Sequence, residues 1–463
     1  MSLYNPPNQK PCKAKPDYLK KNFRGLAGLS VPEAAANCAV GECDYITIVN
    51  SSIVFYNKKS NKINAQYFLS QVTGSSLITS EPFFNIPNVI SDPWIIYDPY
   101  VKRFAFVCVA DTTDIIPTGV LYFAISKGET FCDYLEDWHR YTIPLDIDED
   151  YIPSTPKIGF DQKAYYITAE VTTFLVESVI YGFTKKEVLQ GKPINNVVDL
   201  SYSFTDGVTN LFPLKVYDCG SPMYFVCSDT VSPSTSIFYI SITNYTTVVG
   251  PNPITVAAYQ LPPDATQLGG NLIETYGSGF NTGCVRNGHM WLAHHISLTG
   301  TNLKVRWYDI LISTSNANFV VNQFETIDRC STIQYWMPRL DVDPCGNMGI
   351  AFSVCDPTSV YGIGIIATGR VRDYLPNLTR KPLFIKRGEG IYTLSTQYGP
   401  YSGLCFDPST DQQFWLINQF GFDSNVLMNE GIFFKTQNAM FKLRDYGCCD
   451  CVPIPCNNNC PEL

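Results

Sequence analysis

Three carboxyl side chains have the residue type and placement best suited to catalysis: Asp92, Glu170 and Asp341. Each lies near the start or end of a short apolar run. Cleavage of a glycosidic bond needs two carboxyl groups flanking the bond, one to donate a proton and one to act as base or nucleophile. A structural interpretation carries more weight: Asp92 would cap the turn before Pro93, and Asp341 would form an ion pair with Arg339. We therefore expect no catalytic residue, and these three carboxylates are the candidates if the protein is a hydrolase.

The four histidines do not form a metal-binding pattern. In HMWLAHH, interpreted as a strand, His289 and His295 share one face and His294 lies on the other. Six residues of strand separate the first two by roughly 20 Å, which is too far to chelate one ion. The sequence also lacks a P-loop, a dinucleotide-binding glycine motif and a Gly-x-Ser-x-Gly nucleophile turn. We expect no metal and no cofactor.

Composition and charge argue against several classes of protein. The 463-residue chain has 14% aromatic and 16% charged residues, against a usual charged share of about a quarter, so it has ample apolar surface for a core. Its net charge of −9 argues against nucleic-acid binding. The one basic segment, Lys10 to Arg24, is more simply a solvated arm.

No apolar run approaches the roughly 18 residues that a membrane span needs, and the first residues show no signal peptide. Sequons at Asn50, Asn244 and Asn377 occur often by chance.

One phrase recurs along the chain: an apolar run, a turn residue and a second apolar run. The runs have four to seven residues and are rich in Val, Ile, Phe, Tyr and Trp, which indicates strands. Asp and Asn favour tight turns because their side chains bond to the nearby main chain. The turn residues are Asn50, Asp98, Asp161, Asp218, Asn287, Asp343 and Asp407. The sequence thus predicts a repeating hairpin, with the five aspartates at equivalent places between an inner and a second strand.

Weaker strand candidates between the phrases give about four strands per period. A four-stranded antiparallel sheet repeated radially is a β-propeller, so seven phrases predict an all-β, seven-bladed propeller of four-stranded antiparallel blades. We predict an N-terminal arm over residues 1–43, the propeller over 44–446 and a Cys-rich tail over 447–463. A pair of β-sandwiches is the alternative. A local helix is also possible at Val31 to Cys38, VPEAAANC.

The phrases SDPWIIYDPYVKRF and YSGLCFDPSTDQQFW resemble those of seven-bladed propellers of the broad sialidase and arabinanase-like class. The resemblance implies a site where the inner strands converge on the central channel. Arabinanase-like propellers take their catalytic carboxylates from inner strands, which would suit the three carboxylates named above. Sialidases bind the sugar carboxylate through three arginines, for which the choices here would be Arg103, Arg286 and Arg339. The sialidase Asp box is missing.

Twelve of the 17 cysteines fall into two groups. Four lie in apolar strands, where a free thiol behaves as a small hydrophobic group: Cys108, Cys227, Cys355 and Cys405. Eight crowd toward the chain ends and are the disulfide candidates: Cys12, Cys38, Cys43, Cys448, Cys449, Cys451, Cys456 and Cys460. The spacing in the tail fits no standard zinc finger, although a zinc site is an alternative. We expect the tail to fasten the ring near Cys38 and Cys43 or to bridge a neighbouring subunit.

Many cysteines without a signal peptide are unusual for a cytosolic protein, where thiols are kept reduced. Large DNA viruses carry their own thiol oxidases, and the Asn-, Ile- and Tyr-rich composition resembles that of giant-virus proteins. We therefore predict a non-enzymatic structural protein that self-assembles as a homo-oligomer or filament, in a virion or viral assembly in the host cytoplasm. The alternative is a glycan-binding or glycoside-hydrolysing propeller that uses the central channel. The expected partners are copies of the chain itself and, in the alternative, glycans, with no nucleic acid and no membrane span.

Overall fold

The computed structural model describes residues 18–28, 33–73, 76–77, 81–86, 89–111, 120–144, 152–172, 176–203, 210–229, 231–312, 319–372, 375–399, 401–410, 412–423 and 432–443. Within these ranges the chain is almost entirely β-structure. Its first strands are β1 (Tyr18–Gly28), β2 (Ala36–Val40), β3 (Asp44–Val49), β4 (Ser52–Asn57), β5 (Ile63–Phe68), β6 (Val72–Thr73), β7 (Ser76–Leu77), β8 (Val89–Asp98), β9 (Arg103–Asp111), β10 (Val120–Ser126), β11 (Trp138–Pro144), β12 (Ile152–Phe160), β13 (Ala164–Thr172), β14 (Val176–Thr184) and β15 (Val198–Ser203).

The later strands are β16 (Phe212–Pro213), β17 (Lys215–Val216), β18 (Met223–Ser228), β19 (Ser234–Thr243), β20 (Thr247–Tyr259), β21 (Gly283–Arg286), β22 (His289–Ile296), β23 (Lys304–Ile312), β24 (Phe319–Ile327), β25 (Gln334–Val342), β26 (Met348–Cys355), β27 (Gly364–Arg370), β28 (Leu383–Lys386), β29 (Gly403–Phe406), β30 (Gln413–Gln419) and β31 (Phe434–Lys442). One helix, α1 (Lys185–Val188), follows β14. It has four residues, and no helix within the described ranges is long enough to cross a bilayer.

Five four-stranded antiparallel sheets are separate from one another. In chain order of their inner strands they are β2-β3-β4-β5, β8-β9-β10-β11, β16-β18-β19-β20, β25-β26-β27-β28 and β29-β30-β31-β1. Strand β2 packs against β8 and β29, and β29 also packs against β25, while β16 packs against β12, so these inner strands face a common centre. The molecule is therefore an all-β propeller of four-stranded antiparallel sheets, as predicted.

The number of separate sheets differs from the prediction: there are five rather than seven. Of the remaining strands, β6 pairs with β7 in a two-stranded sheet, and nine form one sheet, β15-β14-β13-β12-β17-β21-β22-β23-β24. Its two halves join through β17, which pairs in parallel with β12 on one side and β21 on the other. Two glycines permit this close approach. A Cβ on Gly159 would lie 2.5 Å from the carbonyl oxygen of Leu214, and one on Gly283 would lie 2.7 Å from Leu214 Cδ2.

The ring closes by strand pairing between β1 and β31. Strand β1, from the segment predicted to be an arm, pairs antiparallel with β31 and becomes the outermost strand of the last sheet. Lys21 on β1 donates hydrogen bonds to the carbonyl oxygen of Lys59 at 2.9 Å and to Asn61 Oδ1 at 2.8 Å. This part of the basic segment is therefore bound to the ring and is not a solvated arm. Cys12 and the whole predicted tail fall outside the described residues.

The five turn aspartates occupy equivalent places, as predicted. Each follows or ends the inner strand of its unit and precedes the second strand: Asp98, Asp161, Asp218, Asp343 and Asp407. Asn50 does not belong to this set, because it joins β3 to β4, the second and third strands of its sheet. The inner strand there is β2, Ala36–Val40, in the stretch predicted as a possible helix. All five residues of β2 are buried, so the alternation typical of a half-exposed strand is missing from its sequence.

Strand β9 shows how the sheets share a core. Phe104, Phe106 and Cys108 on one face pack with the first sheet. Ala105, Val107 and Val109 on the other face pack with the sheets that follow. Apolar residues on both faces suit this position, because an antiparallel strand between two other sheets has no solvent face.

Candidate functional site

The inner strands converge on a narrow central cavity. Residues of all the inner strands line it, and the lining includes Trp94, Ile158, Phe212, Leu404 and Phe406. The cavity has a volume of about 40 Å³. Because one water needs about 10–15 Å³ of such space, the cavity holds a few waters but not a sugar ring. Any site for a glycan must therefore lie at an end of the channel.

One end of the channel is marked by strained backbone. Four non-glycine residues at or just before the inner strands have positive φ: Asp92 at 49°, Thr155 at 46°, Asn210 at 54° and Met337 at 52°. Three of them sit in β-bulges, where the register between the inner and second strand shifts, at 91–94, 154–157 and 336–339. Bulges and positive-φ residues cluster beside functional sites because they re-aim side chains at a cost in strain.

The bulges lie at the same position in each repeat. Asp92, Thr155 and Met337 each lie six residues before a turn aspartate, so they stand at one level of the channel, opposite the turns. We call this end the mouth, and define it by Glu33, Asp92, Lys157, Arg339, Tyr401 and the nearby Tyr276. Two positions after these positive-φ residues come Trp94, Lys157 and Arg339, of which Trp94 and Arg339 line the channel.

Two carboxyl groups of the mouth differ in their surroundings. The pKa of Glu33 is raised, first by burial and then by the charge of Asp92, although a hydrogen bond from Tyr276 opposes the shift. Its Oε2 atom is buried without a hydrogen-bond partner among the described residues. The Glu33 main chain is held in place, because its carbonyl oxygen accepts a hydrogen bond from Asn50 Nδ2 at 3.0 Å. Glu33 therefore has a fixed main chain and a carboxyl group that keeps its proton to a higher pH than an ordinary glutamate.

Asp92 is held by the neighbouring inner strands. Its Oδ2 atom accepts a hydrogen bond from the Thr155 main-chain N–H at 3.3 Å. The Tyr401 hydroxyl donates a further hydrogen bond to the same carboxylate. Burial, the charge of Asp92 and this bond raise the pKa of Tyr401 well above its ordinary value, so the phenol keeps its proton. These two hydrogen bonds orient the Asp92 carboxylate.

Two buried cations complete the mouth. Burial lowers the pKa of Lys157 to about 8, opposed by Glu170 and Asp92 and assisted by the positive charge of Arg339. Lys157 Nζ donates a hydrogen bond to Asn210 Oδ1. Burial also lowers the pKa of Arg339, whose Nε donates to the Ser402 carbonyl oxygen at 2.7 Å. The mouth therefore combines acids and bases within electrostatic reach of one another.

The structure brings together two of the three predicted carboxylates. Asp92 and Glu170 both act on Lys157, and Glu170 Oε1 accepts a hydrogen bond from Ser178 at 2.7 Å. Asp341 lines the cavity instead. It forms an ion pair with Lys215 at 2.6 Å and accepts a hydrogen bond from the Phe406 N–H at 3.2 Å.

Sequence reasoning missed Glu33 and Lys157. Glu33 lies in the stretch taken for a possible helix without chemistry, and only the packing of β2 against β8 brings it beside Asp92. Lys157 is a single lysine in an apolar run. The signal that could have found it is its spacing, since it lies four residues before a turn aspartate, as Arg339 does.

Metal and histidine chemistry find no support at the mouth. The described residues contain no group of three or more potential metal ligands. His294 and His295 are buried, and burial lowers their pKa values to about 3 and about 4. His294 hydrogen-bonds to the Ser278 carbonyl oxygen, and His295 to that of Thr275 at 2.8 Å. These two side chains anchor the loop that carries Tyr276.

Comparison with known proteins gives weak likenesses of fold. No protein-family profile and no curated protein matches the chain. An α-L-arabinofuranosidase from Fusarium graminearum is 10% identical, covering 77% of this chain and 93% of its own, with a TM-score of 0.43. An α-L-arabinanase from Penicillium chrysogenum is 11% identical, covering 76% and 92%, with a TM-score of 0.40. An ulvan lyase of polysaccharide lyase family 25 is 10% identical, covering 90% and 94%, with a TM-score of 0.47.

These findings correct the predicted function. The prediction of a non-enzymatic structural protein is wrong by this comparison, because the matched structures are glycan-active enzymes. The predictions of a virion, a filament and a homo-oligomer have no support. The alternative prediction, a glycan-active propeller, agrees better with the matches. At such TM-scores the likeness concerns the fold, so the chemistry must be argued from the mouth itself.

Proposed function

We propose that this protein cleaves a glycan at the mouth of its central channel, with Glu33 as the general acid and Asp92 as the base or nucleophile. The observation that carries the proposal is the pair of neighbouring carboxyl groups with opposite environments, framed by the positive-φ bulges of the inner strands. In many hydrolytic sites, two carboxyl groups have different pKa values because their surroundings differ, and this difference makes one the acid and the other the base.

The roles follow from the hydrogen bonds. Glu33 is desolvated and beside a negative charge, so it keeps a proton that it can donate to the glycosidic oxygen. Asp92 is oriented by the Thr155 N–H and the Tyr401 hydroxyl, which both donate to its carboxylate. As a carboxylate it either activates a water or attacks the anomeric carbon.

The cations and the exposed phenol would bind the sugar. Lys157 and Arg339 provide positive charge for sugar hydroxyl or carboxylate oxygens, and Glu170 serves to position Lys157. Tyr276 is 44% exposed beside Glu33, and its ring offers an apolar face for a sugar to stack on. Because the cavity below holds only a few waters, the glycan would lie across the mouth rather than enter the channel.

We also propose that the ring has seven units. We propose that the nine-stranded sheet counts as two blades, β12–β15 and β21–β24, which β17 joins. The propeller would then extend from β1 to β31, with the tail of residues 447–463 as a separate segment.

The test is a screen of the purified full-length protein against polysaccharides that include arabinan, β-1,3-galactan and ulvan. New reducing ends would report hydrolysis, and ultraviolet absorbance of an unsaturated product would report elimination. We expect Glu33→Gln and Asp92→Asn each to lower turnover by about 10²–10⁴-fold while binding of the glycan persists. Activity should fall as pH rises through the raised pKa of Glu33, because the acid then loses its proton.

Glu42→Gln is the matched control. Glu42 follows the other end of β2, where it forms an exposed ion pair with Lys102 at 3.0 Å, and its loss should leave turnover unchanged. Full activity in both mouth variants would refute the assignment of the pair. If the wild-type protein binds a glycan without cleaving it, the protein is a lectin and the proposed cleavage is refuted. If it neither binds nor cleaves any polysaccharide of the panel, the proposal is refuted as a whole.

A further inference from the structure

Two thiols meet inside the ring. Cys38 on β2 and Cys405 on β29 have their sulfur atoms 4.0 Å apart. This is van der Waals contact, about 2 Å more than the length of a disulfide bond. The sequence placed Cys405 among the cysteines that need no partner, and Cys38 among those that would pair near the chain ends.

The contact lies at the seam where the ring closes. Strand β2 is the inner strand of the first sheet and β29 that of the last, and Ala35 bridges Tyr401 in parallel between them. Gly403 removes any side chain from the gap, since a Cβ there would lie 2.4 Å from the Cys38 nitrogen and 2.7 Å from its sulfur. The two thiols therefore face each other without an intervening group.

Both thiols border the central cavity, which decides what can reach them. A space of about 40 Å³ admits a small peroxide but not a protein oxidoreductase. Burial raises the pKa of Cys405 well above its ordinary value, and Cys38 adds to the shift. Since the thiolate is the reactive form, oxidation at neutral pH would be slow and would speed up as pH rises.

We propose that Cys38 and Cys405 form a redox site that locks the ring by a disulfide when a hydroperoxide enters the cavity. One thiolate attacks the peroxide, the O–O bond breaks, and a sulfenic acid forms with release of water or an alcohol. The second thiol displaces water from that sulfenic acid and the S–S bond forms. Two thiols lose two protons and two electrons, and the peroxide accepts them.

The consequence is a covalent closure of the propeller at its inner edge. The bond would join residues 367 positions apart in the chain, so nearly the whole ring becomes one closed loop. It would add to the outer closure by β1 and β31. It would act without the tail, in contrast to the predicted fastening of Cys38 by the tail cysteines. The proposal does not depend on the proposed function.

The experiment uses the full-length protein, treated with hydrogen peroxide, unfolded in an alkylating agent and digested with trypsin. We expect a cross-link between the fragments 25–58 and 388–435, which carry Cys38 and Cys405. A Cys43→Ser background excludes the other cysteine of the first fragment. From the loop-entropy model and the unfolding entropy per residue, the melting temperature should rise by about 6 °C.

Cys405→Ala should abolish both the cross-link and the added rise in melting temperature on oxidation. Cys108→Ala, which removes another buried thiol, should keep both. Two outcomes would overturn the proposal: full alkylation of Cys38 and Cys405 after peroxide treatment, or a cross-link from Cys38 to a tail peptide in place of Cys405. A cross-link without any rise in melting temperature would refute the locking role.

Discussion

The turn aspartate Asp98 should stabilise the contact between neighbouring sheets strongly. It ends β8, and its carboxylate forms an ion pair at 2.6 Å with Lys185, which begins α1 in the next unit; both side chains have 0% exposure. The Tyr165 hydroxyl donates to the same carboxylate at 2.8 Å. The lysine ammonium lies 4.8 Å from the Tyr100 ring centroid and 4.9 Å from that of Phe160.

The change Asp98→Asn keeps the shape and removes the charge. Lys185 is then buried without its counter-ion, which costs about 3–5 kcal/mol of stability. At about 2.1 cal/mol/K per residue, 463 residues have an unfolding entropy of about 1 kcal/mol/K. The melting temperature should therefore fall by about 3–5 °C, measured by calorimetry at one scan rate.

A double-mutant cycle separates the ion pair from general damage. Lys185→Met alone should also destabilise the protein, whereas Asp98→Asn with Lys185→Met should lose much less than the sum, because no unpaired charge is left. Asp161→Asn is the matched control, since that turn aspartate bonds within its own unit, to Tyr166 at 3.0 Å and to nearby N–H groups. Additive losses in the cycle, or an equal loss in the control, would refute the reasoning.

Three further predictions concern pH, glycosylation and packing. Burial lowers the pKa values of His294 and His295 to about 3 and about 4, so the unfolded chain binds more protons than the folded chain below pH 6.5. The free energy of unfolding, measured by urea titration, should therefore fall by about 4 kcal/mol from pH 7 to pH 5. A flat profile would contradict this. If the chain is directed into a glycosylating secretory host, mass spectrometry should find a glycan at the exposed Asn244 and none at Asn50, whose amide holds the Ala35 N–H and the Glu33 carbonyl. Gly159→Ala should lower the free energy of unfolding by about 1–3 kcal/mol, because its Cβ would lie 2.5 Å from a main-chain oxygen. Unchanged stability would show that β12 and β17 can move apart without cost.

Local sequence determined the repeating unit. Short runs of β-branched and aromatic residues on either side of an aspartate fix a hairpin, because strand propensity and turn chemistry act over a few residues. That is why Asp98 and Asp343 fall at equivalent places and why both faces of β9 are buried. The same reasoning found Asp92, which stands at the start of such a hairpin.

The tertiary structure decided what depends on contacts between distant segments. Whether β17 joins its neighbours depends on two glycines, Gly159 and Gly283, that face Leu214 from opposite sides, and neither carries a local signal of it. Ring closure sets β1 beside β31 and Cys38 beside Cys405, pairs about 400 residues apart in the chain. The packing of β2 against β8 places Glu33 beside Asp92, and the resulting desolvation and repulsion raise the pKa of Glu33. The acidity of a carboxyl group depends on its surroundings in space, which residue type and spacing alone do not specify.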